Sequence, residues 1–177
     1  PSEDRLLPDH FYRHDDVFIV GGEESRAGIP VVQLANAMKR LIDFANAKDG
    51  INELHKAAIL HFAFAYYHPY FDGNGRTARL LHLWYLVQQG YPAALFTPFS
   101  RYIAESKGAY YKAYERVETN ALISGYTDVT PFLSYFCNEV YNRLQVDAAP
   151  PQADLQIYQA ALSEGKITEK ERLLWEY

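Results

Sequence analysis

Residues 68–79 read HPYFDGNGRTAR and are the segment of this chain that is most informative about its fold. Gly73 and Gly75 permit backbone angles at which consecutive N–H groups converge on an anion. The apolar pattern that begins at Arg76 predicts a helix whose positive N-terminal end points at the same spot. Arg76 and Arg79 are three residues apart, so both guanidinium groups project from one face of the first helical turn. This pattern indicates a helix–turn–helix junction that binds phosphate.

The residue types in the junction indicate a nucleoside triphosphate bound with a metal ion. Two arginines favour a ligand with more than one phosphoryl group, because arginine recognises phosphate through paired hydrogen bonds. Asp72 would repel a bare phosphate unless a hard cation such as Mg2+ lay between them. A predicted helix over residues 51–67 delivers His68 to the same place. The ordinary histidine pKa of about 6.5 suits a general base that activates a hydroxyl group.

Each of these signals also has a plain structural explanation. A glycine-rich turn is most often only a turn, a histidine before a proline is usually a helix end, and Asp72-Gly73 is a common turn pair. Arg79 alone would more often lie on a solvated helix face. The functional interpretation is favoured because all of these signals fall within one junction.

Residues 68–79 resemble the signature of the Fic domain, His-x-Phe-x-Asp/Glu-Gly-Asn-Gly-Arg-x-x-Arg. One position departs, since Tyr70 stands where the family usually has phenylalanine. The resemblance covers about residues 9 to 145. It implies an all-α fold, a Fic-type helical bundle with a small β-hairpin flap near the N-terminus. The matching residues are His68, Asp72, Gly73, Asn74, Gly75, Arg76 and Arg79.

The activity that this resemblance implies is transfer of AMP from Mg-ATP to a Ser, Thr or Tyr hydroxyl of a target protein. Some family members transfer a phosphoryl or phosphocholine group instead. Gly75 argues against phosphoryl transfer, because the phosphotransferases of the family carry lysine at this position. The complete motif favours AMP over phosphocholine. The resemblance leaves open whether the AMP is also removed. It implies that His68 is the general base, that Asp72 holds Mg2+ or the substitute Mn2+, that Gly73, Asn74, Gly75 and Arg76 bind the phosphates, and that Arg79 binds the γ-phosphate.

The sequence upstream of the first helix has an extended pattern over about residues 11–32, broken by Gly21-Gly22. It predicts a β-hairpin or a looser flap. In the Fic family such a flap holds the target backbone by strand-like pairing, whereas the alternative is an ordinary surface hairpin. The predicted docking residues are Val17, Phe18, Ile19 and Val20.

Apolar spacing predicts further helices over residues 31–46, 106–122 and 130–144, and the helix that starts at Arg76 is expected to be the central, buried one. In Fic proteins an aromatic pair contributes to the adenine site, and Tyr110 and Tyr111 are the matching candidates. Asn120 is a weaker candidate. Core packing is the alternative explanation for the tyrosines. His61 is predicted to be a core histidine rather than a ligand.

Composition and charge are those of a globular protein with local phosphate chemistry. The 177 residues are 49% hydrophobic and 22% charged, and the formal charge of -5 argues against a general nucleic-acid surface. Cys137 is the single cysteine and is predicted to be a buried thiol, which fits a reducing cytoplasm. The sequence lacks an apolar run of membrane-spanning length. We predict a cytoplasmic protein that does not enter a membrane.

The domain organisation predicted from the sequence is a Fic domain over residues 1–147 and a C-terminal extension over residues 148–177. The extension is interpreted as a linker plus helical pieces that begin a truncated winged-helix module, by analogy with the family. The chain begins at Pro1 rather than methionine, so we expect sequence upstream.

Regulation in the Fic family commonly uses an inhibitory helix, Ser/Thr-x-x-x-Glu-Gly/Asn. The nearest match here is Glu164-Gly165, but Ala160 occupies the Ser/Thr position. Such a helix is therefore expected before Pro1 or from a separate protein, unless the chain is unrestrained. A second hypothesis is a non-catalytic ATP-sensing regulator that uses the same pocket. The retained His68 favours the enzyme, because a sensor needs no base. The target protein, acceptor residue and oligomeric state are not indicated by the sequence.

Overall fold

The computed structural model describes residues 5–20, 25–143 and 163–164. It confirms an all-α bundle with one small hairpin. Almost all of residues 148–177, interpreted above as a linker and helical extension, lie outside the described residues. The elements are strands β1 (Phe18–Val20) and β2 (Ser25–Ala27), helices α1 (Val31–Asn46), α2 (Glu53–Tyr67), α3 (Asn74–Gln88), α4 (Phe99–Glu105), α5 (Lys107–Ser124) and α6 (Thr130–Tyr135), a 3-10 helix (Pro92–Phe96) and a π-helix (Phe136–Tyr141).

Helix α2 is the central helix of the bundle. It begins where the Asn52 side chain accepts a hydrogen bond from the Leu54 N–H (3.0 Å), an ordinary N-cap. All but one of residues 56–65 are buried. The expectation that α3 would be the central buried helix is wrong, because Leu80 and Trp84 on α3 are 65% and 56% exposed.

Two polar side chains in the buried part of α2 find partners. The Lys56 ammonium donates to the Ala47 carbonyl (2.6 Å) beyond the end of α1 and pairs with Asp49 (3.0 Å). His61 Nε2 lies 2.9 Å from the Tyr110 hydroxyl. The prediction that His61 is a core histidine is confirmed. Buried polar groups are tolerated when they are hydrogen-bonded in this way.

The second half of the bundle packs an aromatic cluster against α2. Tyr110 and Tyr114 of α5 meet Phe132 of α6, with Tyr114 and Phe132 ring centroids 4.7 Å apart. The predicted helix over residues 130–144 is present as far as the described residues reach, to residue 143, but it changes from α to π geometry at Phe136. Cys137 is only half-buried, contrary to the expected buried thiol.

The two strands form the predicted antiparallel hairpin. Phe18 pairs with Ala27 and Ile19 with Arg26, and the Val17 carbonyl accepts the Gly28 N–H (2.9 Å) at its base. Because α1 already begins at Val31, the flap ends slightly before residue 32. Across the described ranges, none of the helices has the length and apolar character needed to span a bilayer.

Candidate active site

The His68 side chain stands at the end of α2 in an unusual backbone conformation. Its φ and ψ are 54° and 60°, the left-handed region that non-glycine residues seldom adopt. The backbone N–H of His68 donates to the Phe64 carbonyl (3.1 Å), and ring Nδ1 lies 3.3 Å from the Ala65 carbonyl. A carbonyl can only accept, so Nδ1 carries the proton in the neutral ring. Nε2 is then the basic nitrogen.

The surroundings of His68 favour the neutral ring. Burial lowers the pKa of His68 below the ordinary value, and the charges of Arg26 and Arg13 lower it further. The Ala65 hydrogen bond and the Asp72 carboxylate act in the opposite direction without reversing the shift. A histidine with a lowered pKa is neutral at pH 7 and can accept a proton.

The turn after His68 forms the start of α3 and leaves backbone donors available. Gly73 has φ 83°, a left-handed angle that favours glycine, and the first helical hydrogen bond runs from the Thr77 N–H to the Gly73 carbonyl (2.9 Å). The N–H groups of the first turn therefore have no partner within the helix. Such a helix start is suited to an anion.

Both arginines of the motif fold back over this helix start. A Cβ built on Gly73 would lie 3.6 Å from Nη2 of Arg76, and one built on Gly75 would lie 3.7 Å from Nη1 of Arg79. This direction is the usual one, because helical side chains point toward the N-terminus. Both guanidinium groups therefore lie near the N–H groups of the first turn of α3, an arrangement suited to phosphoryl oxygens.

The Asp72 carboxylate is exposed and lies against Arg76. Its Oδ2 is 3.0 Å from Nη2 of Arg76, and its Oδ1 accepts the Gly73 N–H (2.5 Å). The side chains of Asp72 and Arg76 are 91% and 72% exposed, so the pair costs at most about 1 kcal/mol to break. A single solvent-accessible carboxylate beside phosphate-binding groups fits Mg2+, which is commonly held by one or two carboxylates plus substrate phosphates.

Asn74 is buried and holds the turn together. Its Oδ1 accepts the Tyr70 N–H (2.9 Å), and its Nδ2 donates to the Tyr70 carbonyl (2.7 Å). Both ends of the amide therefore bond to one residue of the loop. The sequence predicts that Asn74 binds phosphate, whereas these bonds indicate that it also shapes the loop. Tyr70, in the position usual for phenylalanine, packs against Phe64 with ring centroids 5.9 Å apart.

The predicted adenine-binding residues lie at different depths on α5. Tyr110 is buried and bonded to His61, and burial is the main reason that its pKa rises to about 12. Tyr111 is half-buried beside it, with ring centroids 5.5 Å apart, and Asn120 is exposed. Arg79 is close enough to Tyr110 for its charge to act on that pKa. Tyr111 therefore offers the more accessible ring of the predicted pair.

The four predicted docking residues occupy or adjoin β1. Phe18 is 77% exposed, whereas Val17 and Ile19 are half-buried. Val20 ends the strand. Directly opposite residues of an antiparallel pair share a face, so Ile19 lies on the face of Arg26 and Phe18 on the other. Among the docking candidates whose burial the structure describes, Phe18 is thus the most exposed apolar side chain.

Two arginines that the sequence analysis did not single out lie beside His68. The Arg26 guanidinium pairs with Glu118 of α5 and lies over the Tyr66 and Tyr114 rings at 5.3 and 5.1 Å. Arg13 is buried and donates to the His68 carbonyl at 2.8 Å. Neither has a local sequence signal, because both act on residues far along the chain.

The fold and the site together indicate a class of protein. An all-helical bundle carries a hairpin beside a neutral histidine, and the histidine precedes a helix start lined by two arginines. This arrangement is suited to a domain that binds phosphate and carries a general base.

Comparisons with known proteins agree with that class. A family model described as the Fic/DOC family matches residues 3–86. A crystal structure of a Fic family protein from Desulfovibrio desulfuricans superposes with a TM-score of 0.63 at 25% identity, over 80% of this chain and 42% of that one. Over residues 3–86 the chain is therefore similar to the Fic/DOC family.

Similar curated proteins are named protein adenylyltransferases. That of Drosophila willistoni is 33% identical over 48% of this chain and 16% of its own length. The protein adenylyltransferase of Caenorhabditis elegans is 30% identical over 53% of this chain and 24% of its own length. A probable protein adenylyltransferase of Aquifex aeolicus is 28% identical over 72% of this chain and 40% of its own length. The chain therefore spans less than half the length of these relatives.

Proposed function

We propose that this protein is a protein adenylyltransferase that moves AMP from ATP to a hydroxyl group of a target protein. The observation that carries the proposal is the placement of His68. Its Nδ1 donates to the Ala65 carbonyl, which leaves Nε2 basic, and the next turn presents Gly73, Arg76 and Arg79. The names of the similar proteins support AMP as the transferred group.

The proposed reaction gives each side chain one task. His68 Nε2 takes the proton of the attacking Ser, Thr or Tyr hydroxyl while the new O–P bond to the α-phosphate forms. The bond from the α-phosphorus to the bridging oxygen breaks, and pyrophosphate leaves. Arg76 and Arg79 hold the β- and γ-phosphates, and the N–H groups after Gly73 stabilise the charge that develops on the transferring group. Asn74 keeps this loop in shape through Tyr70.

Asp72 would be the protein ligand for Mg2+, with Mn2+ as a substitute. The bound cation would supply charge neutralisation on the phosphates. Asp72 must first leave Arg76, which releases the Arg76 guanidinium for phosphate at little cost. The exposed Asp72–Arg76 pair thus provides both the metal ligand and a guanidinium for phosphate binding.

Binding of the partners follows from the same surfaces. The target backbone would add to the exposed hairpin, with Phe18 as an apolar contact. The adenine would lie at Tyr111, with Tyr110 behind it. An inhibitory helix from another segment or another protein would place its glutamate on Arg79.

The test of the transferred group compares two isotopic labels. The protein is incubated with a lysate, Mg2+ or Mn2+, and ATP labelled at the α- or the γ-phosphate. We expect the added protein to increase protein label from α-labelled ATP over that in lysate alone, and to cause no such increase from γ-labelled ATP. An increase from the γ-position that depends on the added protein would show phosphoryl transfer instead. ATP binding with no label from either position, in the full-length protein as well, would favour the non-catalytic sensor.

A further inference from the structure

Arg13 is a buried arginine whose donors are directed at backbone carbonyls. It is 2% exposed. Its Nε donates to the His68 carbonyl (2.8 Å), its Nη1 to the Asp15 carbonyl (2.7 Å), and its Nη2 to the Ile29 carbonyl and more weakly to Tyr67 (3.4 Å). Its backbone N–H also donates to the Pro69 carbonyl (2.8 Å). One side chain thus contacts two regions of the chain that flank the proposed site.

The first region is the C-terminal end of α2, and the second is the base of the hairpin. Tyr67 is the last residue of α2, and His68 follows it. Asp15 lies before β1 and Ile29 after β2, so Arg13 spans both legs of the hairpin. A rigid guanidinium fork fixes several acceptors at once, which a single flexible ammonium cannot do.

The contacts at Gly28 show how closely these parts are packed. A Cβ built on Gly28 would lie 3.1 Å from Cγ2 of Val17, 3.2 Å from Nη2 of Arg13 and 3.6 Å from Cβ of His68. The hairpin base, the Arg13 guanidinium and the His68 side chain therefore touch the same backbone position. A displacement of Arg13 would move His68, the proposed general base, relative to the hairpin.

We propose that Arg13 is a positioning residue that locks the left-handed backbone of His68 and fixes the docking hairpin in register with the His68 ring. The inference rests on the proposed function, since it assigns the hairpin to the acceptor and His68 to proton transfer. Arg13 would keep the acceptor hydroxyl at a fixed distance from the His68 ring. In this role Arg13 acts through the His68 backbone and the hairpin, since the Arg13 side chain is bonded to protein carbonyls.

Electrostatics support this role. The carbonyls at the end of a helix carry partial negative charge, so a guanidinium at the end of α2 is stabilised there. The carboxylate paired with Arg13 is that of Asp16, 3.6 Å away and 71% exposed. The charged groups that act on His68 are Arg26 from β2, Arg13 from the segment before β1, and Asp72 from the turn. The charge of Arg13 contributes to the lowered pKa of His68 after burial and Arg26.

The central experiment uses Arg13→Lys, which keeps the charge but loses the fork. The exposed Arg40 of α1 provides the matched control, Arg40→Lys. We expect Arg13→Lys to lower transfer of α-label from ATP by about 100-fold, because misplacement by about 1 Å costs that much. Its Kd for Mg-ATP should stay within about twofold of wild type, since a positioning role affects the transfer step. Hydrogen exchange should accelerate at the His68 amide and across the hairpin. Arg40→Lys should change none of these.

A second variant keeps the test decisive if Arg13→Lys does not fold. Gly28→Ala removes no hydrogen-bonding group but pushes on Arg13 and Val17, and it should lower transfer with unchanged ATP binding. A third measurement follows the His68 ring by NMR titration in Arg13→Met, where the lost charge should raise the pKa of His68. If wild type transfers no label, the proposed function fails, while hydrogen exchange and titration still test Arg13.

The inference would be overturned by wild-type hydrogen exchange at His68 in Arg13→Lys. It would equally be overturned by a loss of ATP affinity as large as the loss of transfer, which would make Arg13 part of the nucleotide site. Wild-type transfer by both Arg13→Lys and Gly28→Ala would also refute it.

Discussion

The buried histidines of the core make the stability of this protein depend on pH in a way that can be worked out. Burial lowers the pKa of His82 to about 3, and burial also lowers the pKa of His61, with the charges of His82 and Arg79 acting in the same direction. Both rings are neutral in the folded protein at pH 7. In the unfolded chain each has a pKa of about 6.5. The unfolded state therefore binds more protons than the folded state below that pH, and stability falls as the pH falls.

The magnitude for His82 follows from those two pKa values. Its contribution is complete above about pH 6.5 and is lost progressively as the pH falls toward about 3. Between about pH 7.5 and about pH 5, the free energy of unfolding should drop by about 2 kcal/mol from His82 alone. His61 adds a loss of the same sign.

The assay is urea unfolding at the two pH values for wild type, His82→Phe and His55→Gln. Phenylalanine at position 82 would keep the stack on Phe136, whose centroid is 5.0 Å away, and Tyr141 would keep its hydrogen bond to the Leu54 carbonyl (2.8 Å). His82→Phe should lose about 2 kcal/mol less than wild type on acidification. His55 is exposed, so His55→Gln should behave as wild type. An equal loss of stability on acidification in His82→Phe and wild type would show that His82 is not the source of the pH dependence.

Three further outcomes follow from the site and the core. Arg79→Ala should lower the affinity for ATP more than the affinity for ADP in nucleotide-competition assays. Equal losses of affinity would refute the assignment of Arg79 to the γ-phosphate. Gly73→Ala should destabilise the fold by about 1–2 kcal/mol in thermal unfolding because φ is 83°, whereas Gly75→Ala, with an ordinary helical angle, should stay within about 1 kcal/mol of wild type. Lys56→Met should lower the free energy of unfolding by about 1–3 kcal/mol because it breaks buried hydrogen bonds. Lys39→Met, which breaks an exposed ion pair, should change the free energy of unfolding by less than about 0.5 kcal/mol. Equal effects of the two substitutions would contradict the buried role of Lys56.

The helices were predictable from sequence where their signals are local. Apolar spacing after Pro30 predicts α1, and the Gly21-Gly22 break predicts the hairpin. The burial of α2 and α3 was not predictable in the same way. Helix α2 contains Lys56 and His61, yet it is central because Asp49, Ala47 and Tyr110 satisfy those groups. Such partners come from other elements, and periodicity does not report them.

The site shows the same division. The motif lies within twelve consecutive residues, so its turn and its helix start follow from local chemistry. Arg13 acts on His68 across 55 positions, and Arg26 reaches Glu118 across 92. Their roles depend on how the hairpin packs against α2 and α5. Tyr110 shows the converse case, since a tyrosine selected for adenine binding is buried and bonded to His61.

AMP transfer by His68→Ala, with the exposed His55→Ala as the matched control, decides whether His68 is the general base. Both variants are incubated with α-labelled ATP, Mg2+ and a lysate, and ATP affinity is measured alongside. We predict that His68→Ala loses transfer by about 100-fold or more while it still binds ATP, and that His55→Ala transfers label as wild type does. Label on target protein that survives His68→Ala undiminished would contradict the assignment of His68 as the general base.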